Sequence, residues 1–437
     1  MKCTSGSALL FPILLTILSV SARAQTPSLR HSPLLREARP ESVGMSTERL
    51  ARIDSLCQNA VAQGDVPGVV ALVTRQGKIV YYKAFGLADN SAGRPLRRDD
   101  VFWIASQTKA ITATAIMMLW EQGKFRLDDP ISKYIPEFKN PQLLKTYDAA
   151  QTNYTTEPAK GEITIRELLD HTSGLGYGAI DSDERFRQIY AKAGIIDAFT
   201  TEPVTLAQNE KKLARLPLHQ NPGERFTYSE GLDVLAYLVE VVSGEPFDQF
   251  LRQHLFEPLG MRDTAFYLPP KSARRLVPVQ IKKDGQWVHQ PDTFFDPDYP
   301  IKGARAFFSG GGGLSSTALD YATFLQMYLN GGELNGRRLL SRTTVNTILA
   351  NQTGDLFGGK NGEGYFCLAF GVLTQAGADK GGKGSAGTFE WGGYFNTQYF
   401  ADPHEKIIGV LMKQTQGPVN DNTGDLFRQL VFQALDD

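Results

Sequence analysis

Cysteine is scarce in this chain of 437 residues, which has only Cys3, Cys57 and Cys367. None is spaced for zinc and a disulfide-stapled scaffold is excluded, so the fold has to stand on an apolar core. Charge of one sign is also lacking: 46 Lys and Arg face 47 Asp and Glu, the formal net charge is -1, and no long block of either sign occurs. A polyanion-binding face is therefore absent, and no nucleic-acid partner is expected. The six histidines, His31, His171, His219, His254, His289 and His404, form no H-E-x-x-H, so neither a metal nor any other cofactor is expected. Gly310 to Gly313 is not followed by G-K-[ST], and G-x-S-x-G does not occur, which removes the phosphate cradle and the nucleophile elbow.

The apolar run Ala8 to Val20 is shorter than the roughly 20 residues that span a bilayer. Lys2 precedes it and Ala22-Arg23-Ala24 follows, so residues 1–24 read as a secretory signal peptide in preference to a membrane anchor. Cys3 stands before the run, the wrong side for lipid attachment after cleavage. A secreted or periplasmic protein starting near Gln25, with no stable membrane anchor after cleavage, is expected. Whether Cys57 and Cys367 then pair is left open by the sequence.

What the chain does have is a composition of 42% hydrophobic and 21% charged residues, enough for a large core in two lobes. Residues 25–45, with Pro27, Pro33 and Pro40, read as a loosely ordered leader. Ser46 caps a helix through Leu50, Ile53 and Leu56, and Val69 to Thr74 with Lys78 to Ala84 reads as a β-hairpin. Ser106 to Gly123 carries Ile111, Ala115, Ile116 and Leu119 at helical spacing, and helical patterns continue at Thr164 to Leu169, Leu232 to Val242 and Phe247 to His254. Beyond Gly310 come a helix at Ala318 to Leu329, strand-like runs at Tyr365 to Leu373, Asn396 to Ala401 and Ile407 to Lys413, and a last helix at Asp425 to Leu435. The expected fold is a two-lobed α/β protein. An α/β lobe of about residues 46–105 and 305–437 holds an antiparallel sheet flanked by helices and built from both termini. A mainly helical lobe of about 106–304 is inserted, with the site in the cleft between them.

Ser106-Gln107-Thr108-Lys109 puts a hydroxyl and an amine three residues apart, on one face at the start of a helix. The helix N-terminus favours an oxyanion beside the serine, and burial would favour the neutral amine, a form able to take the serine proton.

Around this pair the chain resembles the serine β-lactamase and penicillin-binding protein superfamily, in its class C-like branch and closest to family VIII carboxylesterases. The resemblance rests on Val66-Pro67-Gly68-Val69-Val70, Phe102 to Lys109, Leu127 to Ile131, Ile163 to Leu175, Phe226 to Ser229 and Gly311 to Asp320, in that order. It implies Ser106 as nucleophile, Lys109 as base and Tyr228 as partner in proton transfer. Tyr228-Ser229-Glu230 matches the family's Y-x-N at the tyrosine only. A carboxylate at Glu230 would stabilise a charged Lys109, so either Glu230 points away or the base role shifts toward Tyr228. Trp391-Gly392-Gly393 resembles the third motif, commonly K-T-G. Its strand edge would approach substrate, with the N–H groups of Ser106 and Tyr394 forming an oxyanion hole. His171 and Ser173 are read as a hydrogen-bonded structural loop, and Thr317 with Asp320 as a capping box. The resemblance implies a hydrolase for a small ester or amide through an acyl-enzyme, first of all a carboxylesterase for neutral esters. A β-lactamase, a D-amino-acid peptidase or transpeptidase-like enzyme, and a slowly deacylating penicillin-binding sensor are the alternatives.

Overall fold

The computed structural model describes residues 26–197, 199–417 and 421–437; the expected signal peptide lies outside them. Eight strands run in the order β4-β5-β6-β7-β8-β2-β3-β1: β1 Arg36–Glu37, β2 Gly68–Arg75, β3 Lys78–Asp89, β4 Gly364–Phe366, β5 Gly371–Leu373, β6 Phe389–Gly392, β7 Gln398–Asp402 and β8 Ile407–Met412. Arg94–Pro95 adds a short ninth strand on β3. All of these pairings are antiparallel except β1 with β3. The central contact joins the two ends of the chain, with Gly409 of β8 opposite Val73 of β2. The antiparallel sheet built from both termini is thus as the sequence predicts.

The uninterrupted apolar run of β2 follows from burial on both faces. Val69, Ala71 and Val73 point into a core with Ile53 and Cys57 of α1 (Arg52–Ala62), and Phe427 and Val431 of the C-terminal helix Thr423–Gln433. Val70 and Leu72 alternate onto the opposite face and join the larger core. Central in that core is α2 (Thr108–Glu121), buried from Thr108 through Leu119 and packed against α4 (Gly231–Ser243). Between them in sequence, α3 (Ile165–Leu169) starts on a capping box of Thr164 and Glu167.

Several sequence expectations are corrected. The mainly helical middle region also holds two hairpins, Gln142–Asp148 with Asn153–Pro158 and Gln280–Lys283 with Gln286–His289. The first is a largely exposed ribbon, so it lacks the apolar alternation that marks a half-buried strand. Tyr365 to Leu373 is a hairpin and not one strand, because Ala369 turns the chain at φ 85°. Thr317 does cap the helix Ala318–Leu329 by accepting from the Asp320 N–H, but the Asp320 carboxylate serves Asp263 and Thr264 instead of completing a box. Cys57 and Cys367 are free and buried in the two different cores. Among the described residues no helix is long and apolar enough to cross a membrane.

Candidate active site

Ser106 lies in a single 3-10 turn, Ala105–Gln107, that feeds α2. The turn is entered through Ala105 at φ 42°, a left-handed conformation costly for a residue with a Cβ and held here by the surrounding packing. The preceding strand Phe102–Trp103 pairs with Ser315–Ser316, and the Trp103 indole donates to Gly312 O, so the serine is carried on a braced segment.

Lys109 follows one turn later with 1% exposure. Its Nζ lies 3.3 Å from Ser106 Oγ, 2.7 Å from Tyr177 OH and 2.7 Å from Gly311 O. It also stands 4.7 Å from the centre of the Tyr228 ring. The structure therefore unites Ser106, Lys109 and Tyr228, but it is Tyr177 whose hydroxyl touches the amine. Tyr228 turns its face to Lys109, and its hydroxyl accepts from Trp391 Nε1 at 3.4 Å. Burial first, and then the neighbouring acidic side chains of Tyr228, Asp233 and Glu230, hold the Tyr177 hydroxyl well above the usual phenol range, so it stays a phenol.

His171 fixes the Tyr228 segment from below. Its Nδ1 accepts from the Ser229 N–H at 3.2 Å, and its ring lies 4.5 Å from that of Tyr228. Burial pushes the imidazole well below its ordinary range, which keeps it neutral and able to accept. Ser173 instead accepts from the Leu175 N–H. No His171–Ser173 pair forms, in agreement with the structural reading of this loop.

Trp391 and Gly392 end β6, opposite Tyr399 and Gln398. A Cβ on Gly393 would fall 2.4 Å from Ile104 O, so only glycine lets this strand edge press against the segment two residues before Ser106. Tyr394 follows, its ring 6.2 Å from that of Phe294, which is 43% exposed. Ser106, Tyr228, Trp391, Gly392, Gly393 and Tyr394 are all half-buried and so open to solvent on one side. Lys413, the cation directly after β8, is buried with its Nζ 2.5 Å from Asp421 Oδ2.

Glu230 stands two residues after Tyr228, where the family motif has asparagine. It is fully buried, both carboxyl oxygens lack a hydrogen-bond partner, and burial followed by the Asp197 charge pushes it well above the carboxylate range. Burial thus favours its protonated form, and among the described residues it makes no hydrogen bond or ion pair with Lys109, whose partners are Ser106, Tyr177 and Gly311. Tyr177, Asp233 and the Gly311 carbonyl are the neighbours that the sequence reading missed. The signals were a tyrosine between glycines, Gly176-Tyr177-Gly178, and an acid within the apolar stretch Leu232 to Val239.

Chemically the arrangement offers a hydroxyl, an amine within reach of its proton, and glycine backbone beside it. No group of His, Cys, Asp and Glu able to hold a metal occurs among the described residues.

A family model described as Beta-lactamase matches residues 53–433. Esterase EstB of Burkholderia gladioli is 33% identical over 381 residues, covering 84% of this chain and 90% of its own. A putative D-alanyl-D-alanine carboxypeptidase of Escherichia coli (strain K12) is 28% identical over 429 residues, 92% of this chain and 91% of its own. Among solved structures, EstCE1, a hydrolase with promiscuous acyltransferase activity, matches with a TM-score of 0.75 and 27% identity over 89% of this chain and 99% of its own.

Proposed function

The chain belongs to the serine β-lactamase and penicillin-binding protein superfamily, on its family VIII esterase-like branch, and from that premise we propose that this serine hydrolase is an exported carboxylesterase for small neutral esters. Ser106 attacks the ester carbonyl while Lys109 takes its proton. Tyr228 lines the cleft and shares in proton transfer to the leaving alcohol, and Tyr177 holds the amine in place. The oxyanion is met by the N–H groups of Ser106 and Tyr394, and water then releases the acyl group. Export rests on the pattern of residues 1–24, and the cleft on the division into lobes of about 46–105 with 305–437 and about 106–304.

The observation that carries the ester reading is Trp391. Where relatives acting on β-lactams or D-alanyl peptides have a cation for the substrate carboxylate, this chain presents an indole packed on Tyr228, their ring centres 5.8 Å apart. A charge-assisted hydrogen bond to a carboxylate contributes roughly 1.5–3 kcal/mol, or about one to two powers of ten in binding. An indole cannot supply it, and Lys413 is already committed to Asp421. The apolar rings of Trp391, Tyr394 and Phe294 suit an uncharged acyl or alcohol group instead.

Short p-nitrophenyl esters are expected to be cleaved with a kcat/KM well above that for nitrocefin or D-alanyl-D-alanine peptides. Efficient nitrocefin or peptide hydrolysis with negligible ester cleavage overturns the assignment. A burst of one product per protein without later turnover would identify a slowly deacylating sensor.

A further inference from the structure

The acid that answers Lys109 is not at the motif position 230 but three residues on. Asp233 lies in the first turn of α4 with 1% exposure, where the helix N-terminus favours a negative charge. Its Oδ1 accepts from the Gly311 N–H at 3.3 Å, while the carbonyl of the same Gly311 accepts from Lys109 Nζ at 2.7 Å. Acid and amine thus grip one glycine from its two ends. A Cβ on Gly311 would fall 2.5 Å from Asp233 Oδ2, so no side chain fits at that place.

The surrounding charges single out Asp233. Facing it are Lys109 of α2, Asp197, Glu210, Glu230, Tyr177 and Tyr299. Burial pushes Glu210 and Glu230 well above the carboxylate range, and both Glu230 oxygens lack a hydrogen-bond partner, whereas Asp233 leaves only Oδ2 without one. Burial raises Asp233 too, but it is opposed by the Ser309 hydroxyl, the Lys109 charge and the Gly311 N–H.

Resting on the reading of Ser106 and Lys109 given above, we propose that Asp233 is the positioning residue and counter-charge of Lys109. Through Gly311 it sets the carbonyl that holds Nζ beside Ser106 Oγ. Its charge balances the ammonium that forms when the serine proton moves to Nζ and the Oγ–carbonyl bond is made. Nothing in this role touches substrate.

The test compares Asp233→Asn with Glu230→Gln on a short p-nitrophenyl ester, following kcat, KM and the pH profile. Asparagine keeps the acceptor for Gly311 and removes only the charge. With less to stabilise the ammonium, the rising limb of kcat/KM is expected to move to lower pH by about half a unit or more in Asp233→Asn, with plateau kcat down about tenfold and KM within about twofold. Glu230→Gln leaves the limb in place. Ser309→Ala, which removes a neighbouring hydroxyl that favours the Asp233 anion, is expected to move the limb the same way by less, and it decides the matter if Asp233→Asn does not fold.

Folded variants whose limbs coincide with wild type overturn the role of Asp233, even if stability falls. A wild type inactive on esters defeats the ester reading instead, and the same profiles are then read on nitrocefin or a D-alanyl substrate, whichever it cleaves.

Discussion

Lys109 Nζ is held by a hydroxyl and a carbonyl from two other segments, so its aim at Ser106 does not depend on its own flexible stem. Replacing Ser106 by Ala removes one oxygen from a half-buried site, and replacing Lys109 by Ala removes the amine beside it, the proton acceptor of the proposed mechanism. Both variants are expected to lose turnover by at least about a thousandfold. Ser106→Ala should melt close to wild type, whereas Lys109→Ala should melt lower because Gly311 O and Tyr177 OH lose a buried partner. Tyr177→Phe is expected to cost about ten- to a hundredfold in kcat with little change in KM, since the hydroxyl meets the amine and not the substrate. Steady-state kinetics beside thermal melts check all three, and wild-type turnover in Ser106→Ala would remove the nucleophile from the scheme.

The loop after α3 carries a pH dependence of stability. Asp170 caps that helix and accepts from both the N–H and the hydroxyl of Thr172. Burial nevertheless pushes its carboxyl up to about 7, against about 3.9 in an unfolded chain. The folded state therefore holds this proton where the unfolded state has released it, and unfolding exports a proton between those values. The stability it contributes is complete below about pH 4 and is lost as pH rises through 7. Asp320, pushed up to about 6 by burial, acts in the same direction. Asp170→Asn keeps an acceptor for Thr172 and cannot ionise. The melting temperature of wild type minus that of Asp170→Asn should thus fall between pH 5 and pH 8. A difference independent of pH would show that Asp170 is already ionised when folded.

At the scale of the whole molecule, the sheet separates two cores and with them the two thiols. Cys57 packs with α1 and the C-terminal helix, and Cys367 lies in the core on the other face. Burial pushes the Cys57 thiol up to about 12 and Cys367 further still, so little reactive thiolate exists near neutral pH. Reductant is expected to leave the melting temperature of protein lacking residues 1–24 unchanged. A thiol reagent should modify both cysteines rapidly in denaturant and slowly in the native state. Rapid labelling of the native protein, or a melting temperature lowered by reductant, would contradict this separation.

Ser106 and Lys109 were legible because their meeting is local: three residues on a helix place two side chains on one face whatever the rest does. The apolar strands Val69 to Thr74 and Ile407 to Lys413 were legible for the same reason, since a continuous run matches burial on both faces. Trp391-Gly392-Gly393 was readable through resemblance, and the close approach at Gly393 gives it a physical cause. Which tyrosine touches the amine, which acid faces it and whether the thiols meet were not local matters. Tyr177 reaches Lys109 across 68 positions and Gly311 across 202, through the packing of α2 on α4 and a glycine run between them. Glu230 and Asp233 sit one helical turn apart, and only that packing gives Asp233 the Gly311 N–H while leaving both Glu230 oxygens without a partner. Sequence spacing determines geometry within an element, but the burial and charge around a side chain are set by whatever segments the fold brings against it.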